Sequence, residues 1–358
     1  MDSAGTIKIK IHAVAWKGNS PPPKILVMRF QALGDTIITL PYLQSLKRQY
    51  PQVELHFLTR EEVSAIPRSV VLFSKVITIG GGRNAKIQFL LALLKIPWLL
   101  MQRYDAILDL QNHKISRIIR HLLSVKTFSE FEVDLKTTLS AGERNRQAIE
   151  ALWSWKIDLD TKFVIRNTTN IDDLMKQNGL KPNHDLVVLN PAGSFPSRNW
   201  PVENYIAFAN LWITKINPDT QFVLLLLPTL KEKGDYIAKA LGEACINLTG
   251  KTNQVEAFGV LQKCSFVLSE DGGLMHMAWV QGVPTLALFS STRNEWSRPL
   301  GEKSSSLDSS DMECGPCVFL VCKYGDNRCL TRYKPDFVVE KVMSLMNYRS
   351  LQKISPVQ

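Results

Sequence analysis

Short apolar runs alternate along the chain with longer segments in which apolar residues recur at helical spacing. The run from Ile25 to Phe30 is almost continuously apolar, which is typical of a strand buried on both faces of a parallel sheet. The segment TIITLPYLQSLKRQYP then has helical spacing and ends in basic residues and Pro51, and VELHFLTR resembles a second strand. Together these elements predict a β-α-β unit with a right-handed crossover.

The same alternation starts again at residue 185. The apolar runs DLVVLNP, QFVLLLLP, CINLTG, SFVLSEDGG and VPTLALFS are separated by segments with helical spacing. This order predicts a doubly wound α/β domain. We therefore expect an N-terminal α/β domain over residues 24–175 and a C-terminal one over residues 185–347, with a polar linker between them. Residues 1–23 are expected to form an N-terminal appendage.

The most apolar stretch is Ile87–Met101, which contains Lys95 and Pro97. It is shorter than the roughly 18 apolar residues that a membrane-spanning helix needs. A buried helix is the favoured interpretation, and a helix face that rests on lipid stays open as the alternative. The first residues lack the long apolar core of a signal peptide, so we expect a cytoplasmic protein with an optional peripheral contact on the inner membrane.

The formal net charge of +10 favours anionic partners: nucleic acid, nucleotide diphosphates or an anionic membrane face. The sequence has no long Lys/Arg run and no aromatic-basic RNA motif, so nucleic acid is not expected. A zinc-containing, nucleic-acid-associated protein nevertheless remains an alternative. A dinucleotide-dependent oxidoreductase would need a G-x-G-x-x-G motif after a strand, which the glycines at 80–82 do not supply.

The first candidate site is the segment between the first strand and its helix. Gly34 would allow a tight turn or close substrate approach, and Thr36 would lie on the same loop. Asp35 at the helix start has two interpretations. It is either a helix cap, whose carboxylate accepts backbone N–H bonds, or a general base for an acceptor hydroxyl.

The second candidate site follows the strand SFVLSEDGG. Gly272 and Gly273 would let the backbone approach a diphosphate, which the N–H groups of the next helix would hold. His276 either donates to a phosphate oxygen or packs at the helix start. The third candidate site is the loop after residue 190, where Ser194 offers a hydroxyl and Arg198 a planar cation that suits phosphate oxygens.

Four of the six cysteines cluster late in the chain with the spacing C-x2-C-x4-C-x6-C. Four thiolates could complete a tetrahedral, structural zinc site, although the spacing is shorter than in common zinc ribbons. Without a secretory signal we expect reduced thiols or a metal rather than disulfides. The cysteines are Cys314, Cys317, Cys322 and Cys329.

These motifs resemble, in this order, those of glycosyltransferase family 9, the heptosyltransferase family. The resemblance runs from about Lys24 to Met346 and is carried by four segments and the cysteine pattern. The segments are ILVMRFQALGDTIITLPYLQSLKRQYPQVELHFLT, YDAILDLQ, LNPAGSFPSRNWPVENY and SEDGGLMHMAWVQGVPTLALFSST.

The resemblance implies a GT-B fold, in which two Rossmann-like domains face each other across a cleft. It implies inverting transfer that requires no metal, from ADP-heptose or another nucleotide diphosphate-sugar to a lipid-linked or lipopolysaccharide-core glycan on the N-terminal domain. Asp35 matches the catalytic base, Arg198 replaces a diphosphate-binding lysine, and Glu232 matches a ribose-binding acid. The donor-binding turn comprises Asp271, Gly272, Gly273, Leu274 and His276.

One further departure from the family pattern is Gly272, which stands where the family usually has threonine, so a hydroxyl contact to phosphate is missing. Diphosphate binding remains the expectation. A separate alternative is an inactive relative that only binds a nucleotide-sugar, against which the presence of Asp35 argues.

Overall fold

The structure is a computed structural model that describes residues 9–82, 84–132, 139–166, 170–193 and 195–347. The chain divides into two compact units. The first contains the residues up to Arg166 together with Glu295–Ser297, and the second contains the remainder. The expected domain end at residue 175 falls inside a helix of the second unit, so that boundary is corrected to about residue 166.

Within its described residues up to Arg166, the first unit consists of six strands, five α-helices and a short 3-10 helix at Glu61–Val63. The strands are β1 (Lys10–Val14), β2 (Lys24–Met28), β3 (Glu54–Arg60), β4 (Lys75–Ile79), β5 (Ala106–Asp109) and β6 (Thr127–Glu132). The helices are α1 (Leu33–Gln49), α2 (Ala65–Ser69), α3 (Ala85–Met101), α4 (Lys114–Leu123) and α5 (Ala141–Leu152).

The sheet of the first unit has the strand order β1-β6-β5-β2-β3-β4. All neighbouring strands are parallel except β1 and β6, which are antiparallel. Residues 10–14 therefore form an edge strand of this sheet, and the expectation that residues 1–23 are only an appendage is wrong for this part. The partner strand β6 lies about 120 positions later in the chain, so the local sequence of residues 10–14 could not indicate it.

The second unit carries the other six strands. They are β7 (Asp185–Asn190), β8 (Thr220–Leu224), β9 (Cys245–Asn247), β10 (Phe266–Glu270), β11 (Thr285–Leu288) and β12 (Ser304–Leu307). The later helices are α6 (Ile171–Gln177), α7 (Val202–Lys215), α8 (Lys231–Leu241), α9 (Gln254–Leu261), α10 (Gly273–Trp279), α11 (Asn294–Ser297), α12 (Arg328–Thr331) and α13 (Pro335–Leu345). Short 3-10 helices span Pro196–Arg198, Pro228–Leu230 and Gly242–Ala244.

The second sheet is parallel throughout, with the order β12-β11-β10-β7-β8-β9. This is the doubly wound Rossmann order, and the first sheet repeats it over its five parallel strands. The central strands are the continuous apolar runs of the sequence. Residues 25–28 of β2 and 187–189 of β7, for example, have no exposed surface. The predicted α/β class with two Rossmann-like parallel sheets is confirmed.

Helix α3 coincides with the most apolar stretch of the sequence. Ala92, Ile96 and Leu99 pack into the core of the first unit. Leu90 and Leu94 on the opposite side are 57% and 70% exposed, so the buried-helix interpretation holds for only one face. Among the described residues, no helix is both long and apolar enough to cross a membrane.

Candidate active site

The candidate residues lie where the strand order of each sheet reverses. This point lies between β2 and β5 in the first sheet and between β7 and β10 in the second. Ligands of open α/β sheets bind beyond the carboxyl ends of the strands at such a point. Asp35 follows β2 and Gln111 follows β5, while Arg198 and Asp271 follow β7 and β10. Each unit therefore has its own polar site at the position where a ligand is expected.

Asp35 is the third residue of α1, and its Oδ2 accepts the N–H of Ala32 at 3.0 Å. The helix-capping interpretation is thus correct as far as it goes. The same oxygen lies 3.1 Å from Arg29 Nη2, and 38% of the side chain is exposed. The helix and Arg29 hold the carboxylate in one orientation, and its exposure still allows it to accept a proton from a bound hydroxyl.

A second cation lies near this carboxylate. Burial lowers the pKa of the Arg144 guanidinium, the charge of Asp35 opposes that shift, and the charge of Arg29 adds to it. Arg144 is anchored through Nη1, which donates to the carbonyl oxygen of Leu139 at 2.8 Å. The surroundings of Asp35 are therefore cationic, which suits an anionic substrate.

Gly34 and Thr36 do not lie on a loop. Both belong to the first turn of α1, which begins at Leu33. The Thr36 side chain has no exposed surface, and its N–H donates to the carbonyl oxygen of Ala32 at 2.9 Å. The expected loop positions are wrong because the helix, with the capping bond of Asp35 in its first turn, begins three residues earlier than the apolar spacing suggested.

The end of β5 organises the other side of this site. Asp109 accepts the N–H groups of Gln111 and Asn112 on one carboxylate oxygen, at 3.1 and 2.9 Å. Burial raises the pKa of Asp109 to about 6, although these bonds act in the opposite direction. Gln111 in turn accepts the N–H groups of Phe30 and Gln31 through Oε1, at 2.9 and 3.0 Å. The YDAILDLQ segment thereby fixes the chain that leads from β2 to Asp35.

A cavity of about 320 Å³ lies beside these residues. Arg60 Nη1 donates to Gln31 Oε1 across its wall at 3.2 Å. Amide groups, a guanidinium and an imidazole in its lining can form hydrogen bonds with sugar hydroxyls or phosphate oxygens. The cavity is lined by Phe30, Gln31, Arg60, Ala85, Gln88, Gln111 and His113.

In the second unit, Arg198 and Asp271 form an ion pair. Arg198 Nη1 lies 3.1 Å from Asp271 Oδ2, and both side chains are largely buried. Thr292 Oγ1 donates to the same carboxylate oxygen at 2.8 Å, and the guanidinium lies 4.7 Å from the ring centroid of Phe195. The guanidinium is thus oriented, and those of its five N–H donors that do not face Asp271 can serve further acceptors. Ser194, the predicted hydroxyl donor of this loop, lies outside the described residues.

Glu270 holds the loop that carries Arg198. Its side chain is buried, Oε1 accepts the N–H of Trp200 at 2.6 Å, and Oε2 accepts the N–H of Gly193. Burial raises the pKa of Glu270 to about 7, and these two backbone bonds oppose the shift. Lys233 supports the same loop, since Nζ donates to the Pro191 carbonyl and to Asn199 Oδ1, both at 3.0 Å.

The sequence analysis did not select Arg29, Gln111, Lys233 or Glu270 as site residues. Glu270 was quoted within its motif, directly before Asp271, but its role depends on a contact with residues about 70 positions earlier in the chain. Arg29 was visible as the one charge at the end of an apolar strand. Apart from its position next to Glu232, nothing in the sequence around Lys233 indicated a role in the site.

Gly272 is the N-cap residue of α10, and Gly273 and Leu274 begin its first turn. All three residues are partly exposed. First-turn N–H groups have no partner within a helix and can therefore bind an anion. Since α10 has only seven residues, we attribute this capacity to the N–H groups rather than to a helix dipole. A Cβ atom at position 272 would meet nothing closer than the Ala192 carbonyl oxygen at 3.7 Å.

His276 is buried one turn into α10. Trp279 Nε1–H donates to His276 Nδ1 at 3.0 Å, so a neutral ring carries its proton on Nε2. The packed-histidine interpretation therefore has direct support. In this tautomer Nε2–H is a hydrogen-bond donor. A bond from it to a phosphate oxygen stays a prediction. Glu232 is exposed in the first turn of α8, just after β8, and its ribose contact likewise stays a prediction.

The four late cysteines are free thiols that line one cavity of about 30 Å³. In the part of the chain that the structure describes, no group of three or more Cys, His, Asp or Glu side chains is placed to hold a metal ion. The arrangement does not fit the tetrahedral zinc site considered from the spacing, and we assign no step to a metal there. The segment instead packs on the loop that carries Arg198, where Ser197 Oγ donates to the Phe319 carbonyl at 2.7 Å.

Known proteins share both the sequence pattern and the fold. The profile of glycosyltransferase family 9 (heptosyltransferase) matches residues 97–327. Lipooligosaccharide heptosyltransferase 2 of Haemophilus influenzae is 28% identical over 183 residues, which cover 48% of this chain and 50% of that protein. Lipooligosaccharide heptosyltransferase 2 of Campylobacter jejuni is 22% identical over 327 residues, which cover 88% of this chain and 95% of that protein.

The Escherichia coli ADP-heptose LPS heptosyltransferase II has the same fold. Its solved structure superposes with a TM-score of 0.69 at 19% sequence identity and covers 91% of this chain and 99% of its own. The family profile spans more than half of the chain, including the loop of Arg198 and the turn of Asp271. The chain therefore belongs to glycosyltransferase family 9, the heptosyltransferase family.

Proposed function

We propose that this protein transfers heptose from ADP-heptose to a hydroxyl group of a lipopolysaccharide or lipooligosaccharide core acceptor, with inversion at the anomeric carbon and without a catalytic metal. The names of the Haemophilus, Campylobacter and E. coli relatives support the donor and the acceptor class. The observation in this chain that carries the proposal is Asp35, an oriented and partly exposed carboxylate at the carboxyl end of β2.

The second unit would hold the donor. The diphosphate would lie against the N–H groups at Gly272 and Gly273, with the guanidinium of Arg198 beside it. Ser194, His276 and Glu232 are proposed as further contacts to phosphate and ribose. Because Arg198 is positively charged and oriented by Asp271, it can neutralise the negative charge that builds up on the departing ADP.

The first unit would bind the acceptor, and its Asp35 would act as the base. Asp35 accepts the proton of the acceptor hydroxyl as that oxygen bonds to the anomeric carbon from the face opposite the diphosphate. The bond between the anomeric carbon and the diphosphate oxygen breaks, and ADP leaves with the electron pair. The cavity beside Gln111 and Arg60 has the chemistry for a phosphorylated glycan. We propose that this acceptor is lipid-linked, and that the protein works in the cytoplasm at the inner face of the inner membrane.

The test is Asp35→Asn, compared with wild type in an ADP-heptose transfer assay and in calorimetric ADP binding. Asparagine can still accept the Ala32 N–H, so α1 keeps its cap, but it cannot act as a base. We expect the transfer rate to fall by about 10²–10⁴-fold, while ADP affinity stays within about twofold. Asp158→Asn, which changes an exposed carboxylate of the same unit, is the matched control and should transfer like wild type.

Wild-type transfer with Asp35→Asn would contradict the assignment of the base. Loss of ADP binding together with a lowered melting temperature would mean that Asp35 serves only the fold. Tight ADP-heptose binding by the wild-type protein without transfer to any core acceptor would favour an inactive sugar-nucleotide-binding relative.

A further inference from the structure

The outward side of α3 is apolar, although it has no covering element among the described residues. The inward side packs into the core through Ala92, Ile96 and Leu99. The outward residues recur at intervals of three and four, so they form one stripe along the helix. They are Ile87, Leu90, Leu94, Pro97 and Met101, and the four apart from the proline are 47–70% exposed. A helix that is apolar all round is normally buried, so this stripe indicates a missing partner.

The charges carried by the segments that form and flank the stripe have one sign. From Val63 to Tyr104 the sequence contains no Asp or Glu, and the neighbouring α4, which packs beside α3, contains none either. Lys75, Lys86 and Lys95 form no ion pair with any residue that the structure describes. An apolar stripe bordered by unpaired lysines is complementary to an apolar layer with an anionic surface.

A groove of about 850 Å³ runs between α3 and the edge strand β4. Lys75 and Lys95 lie on its walls, and the Lys75 ammonium is 5.3 Å from the ring centroid of Trp98. Tryptophan beside lysine is typical of surfaces at the boundary between lipid and water. The groove thus extends the same combination of apolar wall and cation beyond the helix.

We propose that the outward face of α3, with the adjoining β4 groove, docks on an anionic phospholipid bilayer. The stripe enters the boundary between headgroups and acyl chains, while Lys75, Lys86 and Lys95 contact lipid phosphates. A second copy of the chain is a poorer occupant, because a symmetric contact through this face would bring lysines against lysines with no acid to pair them. This docking proposal rests on the proposed function in one respect: a lipid-linked acceptor would be found at such a membrane.

The test is flotation of the full chain with vesicles of phosphatidylcholine alone or with one quarter phosphatidylglycerol. Wild type should bind the anionic vesicles, and added salt should weaken the binding. Lys86→Gln with Lys95→Gln should lower the partition coefficient about 25-fold, at about fivefold for each lysine. Leu90→Gln with Leu94→Gln should lower it at least tenfold at any salt concentration. The matched control, Val164→Gln with Lys156→Gln, changes exposed residues of the same unit and should bind like wild type.

Equal vesicle binding by the variants and wild type, or no binding by wild type, would overturn the docking surface. A wild-type dimer that the leucine pair converts to a monomer would assign the face to a second copy. Transfer to a delipidated core glycan, measured in parallel, separates this proposal from the proposed function. The α3 variants should keep that activity, whereas its absence in wild type would contradict the proposed reaction and leave the flotation result intact.

Discussion

Replacing Gly193 by alanine should displace the loop that carries Arg198. A Cβ atom at position 193 would lie 2.5 Å from the Arg198 carbonyl oxygen and 2.9 Å from the Arg198 Cβ, where ordinary contacts begin at 3.4 Å. The loop must therefore shift by about 0.9 Å, yet Glu270 holds it at Gly193 and Trp200. Overpacking of this kind costs about 1–3 kcal/mol in the free energy of unfolding. A displacement of about 1 Å at a reacting group can reduce kcat/KM about 100-fold.

Calorimetric titration with ADP and steady-state transfer from ADP-heptose measure these effects. We expect Gly193→Ala to lower ADP affinity about tenfold, as a loss of about 1.4 kcal/mol of binding free energy, and to lower kcat/KM further. Lys239→Ala is the control, because it removes an exposed side chain on α8 of the same unit, away from the loop that carries Arg198. Wild-type ADP affinity and melting temperature in Gly193→Ala would refute the steric argument, and equal losses in both variants would refute its specificity.

Three further changes probe the network around the two sites. Glu270→Gln leaves one of two buried N–H groups without an acceptor, so the free energy of unfolding measured in urea should fall by about 1–3 kcal/mol. Arg198→Lys keeps the charge but loses the planar fork, so calorimetry should show weaker ADP binding by about five- to tenfold. The pKa of Asp109 is raised from 3.8 to about 6, so its neutral form favours folding. This stabilisation, about 3 kcal/mol, is complete below about pH 4 and is lost as the pH rises through about 6. Asp109→Asn keeps the acceptor oxygen for Gln111 and Asn112, and urea titrations at several pH values should show that it lacks this pH-dependent part.

The sequence was most informative where a pattern has one physical explanation. An apolar run such as Ile25–Met28 has to be buried on both faces, and its alternation with helices predicts parallel sheets. The polar residues at the strand ends, Asp35 and Asp271 among them, then fall at the sheet edge where ligands bind. These parts of the fold and the candidate site follow from local pattern and from general rules of sheet topology.

Features that depend on distant contacts could not be predicted in this way. The antiparallel pairing of β1 with β6 joins residues about 120 positions apart. The role of Glu270 requires the Gly193 and Trp200 N–H groups, which lie 77 and 70 positions earlier in the chain. Apolar spacing also cannot indicate which side of a helix is covered, so the exposed side of α3 became visible only in the structure.

The repetition of one strand order in the two sheets has a consequence for how substrate preference can diverge. Each unit places its polar residues on the strand ends of its own sheet. If the second unit binds the donor as proposed, substitutions in the loops after β7 and β10 would alter nucleotide or sugar preference and leave the residues beside Asp35 unchanged. In the same scheme, changes near Gln111 and Arg60 would redirect the acceptor. Such modularity lets a single architecture recombine donor and acceptor preferences.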